Sequence, residues 1–158
     1  MNLVGAGHVG KVLGRLLSAS GACAVQDVLT RSPASARAAV DFVGAGCACA
    51  GIGELRPADI WLLAVNDDQI SPMAAALAQA HDLKGAIVFH CSGAKASSEL
   101  QPLADKGALL ASVHPIRSFA DPDAVARDFG GTFCGIEGEA KALARLAPAF
   151  EAIGARLV

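Results

Sequence analysis

The chain has 158 residues, 53% of them hydrophobic and only 18% charged, with a formal net charge of −2. That length fits one domain with a substantial core, and hydrophobic content supplied mostly by Ala, Val and Leu suits a sheet covered by helices on both faces. The near-neutral charge has no Lys/Arg cluster to offer nucleic acid, and neither an apolar run of about 18 residues nor a basic-then-apolar leader is present, so a soluble, cytoplasmic protein without nucleic-acid or membrane partners is expected.

Met1 to Val4 reads as a short strand, followed at once by Gly5-Ala6-Gly7-His8-Val9-Gly10, a G-x-G-x-x-G. Beyond it Val9, Val12, Leu13, Leu16 and Leu17 recur at helical spacing, so the glycines fall at a strand-to-helix turn. There Gly5 permits the turn, Gly7 lets backbone approach a pyrophosphate, and Gly10 lets the helix pack closely on the sheet. Free N–H groups at the start of the helix, at His8, Val9 and Gly10, would hold the phosphates.

A strand near Ala24 to Thr30, a helix from Pro33 to about Val43 and a strand through Cys47 to Ala50 come next. An NAD-binding domain carries an acidic residue about 20 positions beyond the glycines, at the end of the second strand. The turn here is Thr30-Arg31-Ser32-Pro33, with two hydroxyls, a guanidinium and a helix start, which matches a 2'-phosphate and therefore NADP. Asp27 is the rival: as a ribose ligand it would imply NAD, although it lies earlier in the strand than that role requires. Cys23, Cys47, Cys49, Cys91 and Cys134 lie mostly in apolar stretches, as buried thiols of a reducing compartment do. Cys47-Ala48-Cys49 lacks the two-residue spacer of common zinc pairs, and no metal site is expected.

Asp59 to Val65 (DIWLLAV) reads as a fully buried central strand, and Ser71-Pro72 as the N-cap and first residue of a helix to about Ala80. Ala86 to Cys91 is another buried strand, followed by a helix from about Ala96 to Ala104 and a strand from Ala108 to Val113. A loop-rich stretch leads to a strand at Thr132 to Ile136, a helical segment from Glu139 interrupted by Pro148, and a terminal strand at Ala155 to Val158. Such alternation specifies a parallel, doubly wound sheet with its ligand across the carboxyl ends of the strands at the switch point. The whole chain, 1–158, reads as one dinucleotide-binding domain, and its strand-like end without a polar tail reads as a domain cut from something longer.

With no tyrosine in the chain, a tyrosine–lysine hydride machinery is excluded. The remaining polar groups sit at strand ends: Val65-Asn66-Asp67-Asp68, His90-Cys91-Ser92-Gly93 and His114-Pro115. His114 or His90 is placed to donate a proton, Ser92 to bond the carboxamide or substrate, and Lys95 to polarise a carbonyl. Each has a structural alternative: a hydrogen-bonded core histidine for His90, a turn before proline for His114, and a helix cap for Asn66-Asp67-Asp68. Cys91 has no evident base to make it a nucleophile.

GAGHVG, TRS, LLAVNDDQI, HCSGA, SVHPIRSFAD and FGGTFCGIEG together resemble the bacterial Rossmann-like oxidoreductases. These are relatives of the NADP- or deazaflavin-dependent oxidoreductase, pyrroline-carboxylate reductase and 6-phosphogluconate dehydrogenase group. The resemblance covers essentially the whole chain. It implies an α/β fold of the Rossmann type, a mostly parallel sheet of about eight strands in the order 3-2-1-4-5-6-7-8. It also implies a further C-terminal helical domain that closes over the nicotinamide, contacts a small-molecule substrate and forms a homodimer. The cofactor-binding set is then Gly5, Gly7, His8, Val9, Gly10, Thr30, Arg31, Ser32, Val65, Asn66 and Ser92. The expected activity is hydride transfer between NADP and a small polar metabolite, completed by residues outside this chain. A non-catalytic nucleotide-binding or sensing module is the alternative, and an S-adenosylmethionine methyltransferase lacks its ribose-binding acid.

Overall fold

A computed structural model covers residues 1–158. In chain order it contains β1 (Asn2–Val4), α1 (His8–Ala19), β2 (Asp27–Leu29), α2 (Pro33–Val43), β3 (Cys47–Cys49), β4 (Ile60–Leu63), α3 (Ile70–Ala80) and β5 (Ile87–His90). There follow α4 (Gln101–Ala104), β6 (Leu109–Pro115), α5 (Pro122–Arg127), β7 (Phe133–Gly138), α6 (Ala140–Ala152) and β8 (Arg156–Leu157). The eight strands form one sheet in the order β3-β2-β1-β4-β5-β6-β7-β8. Pairing is parallel from β3 to β6, antiparallel between β6 and β7, and parallel between β7 and β8. This is a doubly wound Rossmann-like sheet whose order reverses beside β1, because the chain leaves β1 for β2 on one side and returns to β4 on the other.

Successive side chains of the central strands enter opposite faces, so both faces need cover. Leu3, Leu62, Phe89 and Val113 pack on one face with Val12, Leu13 and Leu17 of α1, Ala39 and Val43 of α2, Val125 of α5 and Phe150 of α6. Val4, Trp61, Leu63, Val88 and Leu110 pack on the other with Ala74 and Leu77 of α3 and Leu103 of α4. Every residue of β4 and β5 is consequently buried. No helix is long and apolar enough to cross a membrane.

Four local expectations change. A 3-10 turn at Asp67–Gln69 runs straight into α3, so Ser71 lies inside the helix and Gln69 is its N-cap; Pro72 is tolerated because the first N–H groups of a helix have no intrahelical acceptor. The helix expected at Ala96 to Ala104 is a 3-10 turn over Ser97–Leu100 followed by the four-residue α4. The loop-rich stretch contains α5, capped by Asp121, whose side chain accepts from Ala124 N at 3.0 Å. Finally, α6 runs unbroken through Pro148, since Pro148 and Ala144 lie on the exposed side while Ala142, Leu146, Ala149 and Phe150 hold the helix to the core.

Candidate functional site

The site is built on the turns that leave the carboxyl ends of β1, β2, β4, β5 and β6. At the first turn Gly5 has φ +83°, and a Cβ there would stand 2.5 Å from the Ala64 carbonyl oxygen. A Cβ at Gly10 would lie 2.6 Å from Ala64 Cβ and 2.8 Å from Gly5 O, so α1 approaches β4 as closely as a glycine allows. Gly7 differs from both: a Cβ there meets nothing within 4 Å. The first helical bond runs from Lys11 N to Gly7 O at 3.1 Å, no side chain caps α1, and the N–H groups of His8, Val9 and Gly10 stand ahead of that bond. Open space over a bare backbone beside uncapped N–H groups fits a pyrophosphate.

At the second turn Ser32 caps α2. Its Oγ accepts from Ser35 N at 3.1 Å, while Ser35 Oγ accepts from Ser32 N at 3.3 Å, a reciprocal capping box. Thr30 Oγ1 bonds Ser35 Oγ and donates to Ser32 O at 2.9 Å, so three hydroxyls cluster at one helix start. Arg31 beside them is exposed and makes no ion pair. Asp27 is no ribose ligand: it lies 1% exposed at the opposite end of β2, accepting from Arg56 N at 2.7 Å and from Arg56 Nη2 at 2.6 Å. Burial pushes its carboxyl up, but the Arg56 hydrogen bonds and charge together pull harder and leave it below the ordinary carboxylate value.

Leu63 of β4, His90 of β5 and Ser112 of β6 are level in register, so Val65-Asn66, Ser92 and His114 gather at one rim. His90 is wholly buried. Its Nδ1 accepts from Ser92 N at 3.2 Å and must carry no proton, which leaves Nε2–H to donate to Ala96 O at 3.0 Å. The ring therefore holds both ends of the Ser92–Ala96 loop as a neutral imidazole. Ser92 Oγ accepts from Ala94 N at 3.1 Å, and Lys95 is paired with Glu99 at 3.3 Å. The partly exposed His114 donates through Nδ1 to Cys91 O at 3.2 Å, since a carbonyl only accepts. Its Nε2 faces Gly93, where a Cβ would sit 2.5 Å away. Nε2 is thus the ring nitrogen without a hydrogen-bond partner in the chain. Burial pushes the Cys91 thiol far up and Cys134 up to about 11, so both stay protonated at neutral pH. No group of three or more His, Cys, Asp or Glu side chains is placed to hold a metal.

Three residues join the site that the sequence did not single out. Ser35 completes the hydroxyl cluster, and the Ser-x-x-Ser spacing of a cap was its available signal. Gly93 is the surface against which His114 rests. Glu137 accepts from Ser97 N at 2.6 Å and Ser97 Oγ at 2.8 Å, tying the loop after β5 to β7. Nothing local to positions 93 or 137 announces either contact.

The sheet order, the glycine turn at the switch point and the open rim define a Rossmann-like domain. The chain belongs to the Rossmann-like domain family, which matches residues 1–115. No curated protein matches it. Among solved structures, protein TM1727 from Thermotoga maritima is 24% identical with a TM-score of 0.73, over 99% of this chain and 56% of that one. Synechocystis arogenate dehydrogenase is 19% identical with a TM-score of 0.81, over 99% and 58%. The prephenate dehydrogenase of Aquifex aeolicus, solved with hydroxyphenyl propionate and NAD+, is 18% identical with a TM-score of 0.77, over 99% and 58%. These likenesses are likenesses of fold, and the chain spans little more than half the length of each.

Proposed function

We propose that residues 1–158 are the dinucleotide-binding domain of an NADP-dependent oxidoreductase that acts on a small polar metabolite in the cytoplasm. The observation that carries the reading is the second turn: an unpaired Arg31 stands beside the hydroxyls of Thr30, Ser32 and Ser35 at the start of α2, and the acid of that strand, Asp27, is occupied elsewhere. The N–H groups of His8, Val9 and Gly10 take the pyrophosphate over Gly7, Arg31 and the hydroxyls take the 2'-phosphate, and Val65, Asn66 and Ser92 line the nicotinamide end. When bound, the cofactor supplies or accepts a hydride. His114 holds the accompanying proton at Nε2, with Nδ1 fixed on Cys91 O. His90 positions Ser92, and Lys95 stands at the exposed edge of the same loop. An open rim does not exclude water, so in this reading substrate closure is assigned to a further helical domain of the kind the resemblance implies, together with the homodimer contact.

Calorimetry with NADPH and NADH tests this reading. The chain binds NADPH more tightly, and Arg31→Ala lowers that preference by about tenfold or more, the scale of a charged hydrogen bond. Equal affinities in the unaltered chain, or a preference that survives Arg31→Ala, would remove NADP from the assignment.

A further inference from the structure

Where β6 leaves the sheet, an open cleft of about 380 Å³ is lined by Ile116, Arg117, Ser118, Asp128, Gly130–Gly131, Thr132 and Phe133. Arg117 is anchored there by one half of its guanidinium: Nη1 donates to Asp128 O and, at 3.1 Å, to Thr132 Oγ1. The other half is free. Nε is the one buried side-chain polar atom in the molecule with no hydrogen-bond partner, and Nη2 has only the Asp128 carboxylate at 4.0 Å, on a side chain 90% exposed. Nε and Nη2 share one edge of the planar group, the edge that takes both oxygens of a carboxylate. A buried donor left open in this way asks for a partner.

The walls agree with that edge. Ser118 Oγ accepts from Ala120 N at 3.4 Å and keeps its proton to give. A Cβ at Gly130 or Gly131 would meet nothing within 4 Å, so no side chain fills the space over them. Arg156, outside the cleft, lies with its guanidinium carbon 5.7 Å from the Phe133 ring centroid and makes no ion pair, which leaves an uncompensated positive charge behind that wall. Ile116 and Phe133, 56% and 49% exposed, supply an apolar flank.

We infer that this cleft binds the carboxylate of a small ligand with an apolar body, the exposed Asp128 side chain giving way so that the carboxylate reaches the Nε–Nη2 edge of Arg117 while the body lies against Phe133 and Ile116. The binding site stands on its own geometry. Only the further step, that the ligand is the substrate of the oxidoreductase, rests on the function proposed above, since Arg117 follows His114 by three residues at the same strand end.

Benzoate, benzamide and inorganic phosphate, titrated separately into the ¹⁵N-labelled chain without dinucleotide, test the inference through the Arg117 Nε–H and the Gly130 and Gly131 amide resonances. Benzoate shifts these signals saturably, and benzamide, of the same shape without the charge, does not. Arg117→Lys weakens benzoate by about tenfold, because an ammonium cannot present a two-pronged edge. Asp128→Asn keeps the backbone carbonyl that anchors Arg117 and removes the competing charge, so it tightens benzoate by about threefold. Equal shifts from benzamide, a benzoate affinity that Asp128→Asn leaves unchanged or weakens, or tighter binding of phosphate than of benzoate overturns the carboxylate assignment. With no dinucleotide in the tube, failure here leaves the nucleotide reading intact, and the reverse.

Discussion

The two rims of the sheet carry polar side chains of the same kinds and use them in opposite ways. At the amino rim they close on one another. Asp27 is held by Arg56, Asn2 Nδ2 donates to Arg56 O at 2.6 Å, and Gln26 Nε2 donates to Asn2 Oδ1 at 3.2 Å and Pro57 O at 3.1 Å. At the carboxyl rim the groups keep spare capacity: uncapped N–H groups before Lys11, an unpaired Arg31, the Nε2 of His114 and half the guanidinium of Arg117. The difference follows from topology, because parallel strands send every following helix start, and its positive dipole end, to the carboxyl rim. Some polar residues there, such as His90 and Glu137, tie loops down, but others are left without a partner, whereas those at the other rim all stitch the loops to the sheet.

The largest expected contrast lies within a single turn. Gly10→Val drives side-chain atoms into Ala64 and the Gly5 carbonyl and lowers stability by about 2–3 kcal/mol in urea unfolding. Gly7→Val stays within about 1 kcal/mol of the unaltered chain yet loses dinucleotide binding, because its side chain occupies the pyrophosphate space. A folded Gly7→Val chain that binds NADPH normally breaks the division of labour among the glycines.

The amino rim comes next. Asp27→Asn removes a buried carboxylate and weakens its bonds to Arg56, lowering stability by about 2 kcal/mol while leaving dinucleotide affinity unchanged. The Asp27 carboxyl is held below its ordinary value in the fold, so its contribution is full above the unfolded value of about 4 and is lost as pH falls through the lower, folded value. Urea midpoints of the two chains should therefore differ at neutral pH and converge as the medium becomes strongly acidic. A gap that persists in acid, or an altered dinucleotide affinity, erases the distinction between the rims.

The smallest effect falls on His114. Gly93→Ala places a methyl group 2.5 Å from the present Nε2 position, and the imidazole turns aside for about 0.5–1 kcal/mol. The ¹⁵N resonances of His114 should move while those of the buried His90 stay in place. Unmoved His114 signals mean that Gly93 does not set the ring's position.

Much of the stretch from β1 to β5 was legible because its signals are local. Pro33 to Val43 is bounded by a Ser-Pro start and by Gly44 at φ +78°, features that act within a few residues. The uninterrupted apolar stretches of β4 and β5 likewise follow from burial on both faces. The short α5 buries only Val125 and shows no periodicity to read, and Pro148 could be judged only once the exposed side of α6 was known.

The linear pattern therefore determined the alternation of elements, the switch-point turn and the residue types at each strand end, because caps, glycines and hydrophobic spacing exert their effects over a turn or two. Tertiary structure decided which polar groups remain free. Asp27 and Arg31 lie four positions apart, yet one is spent on Arg56 at the amino rim and the other faces open space at the carboxyl rim. Ser97 and Glu137, forty residues apart, meet across the sheet, as do Gly93 and His114. A side chain's remaining hydrogen-bonding capacity depends on every partner the fold brings within about 3 Å, and no window of sequence contains them all.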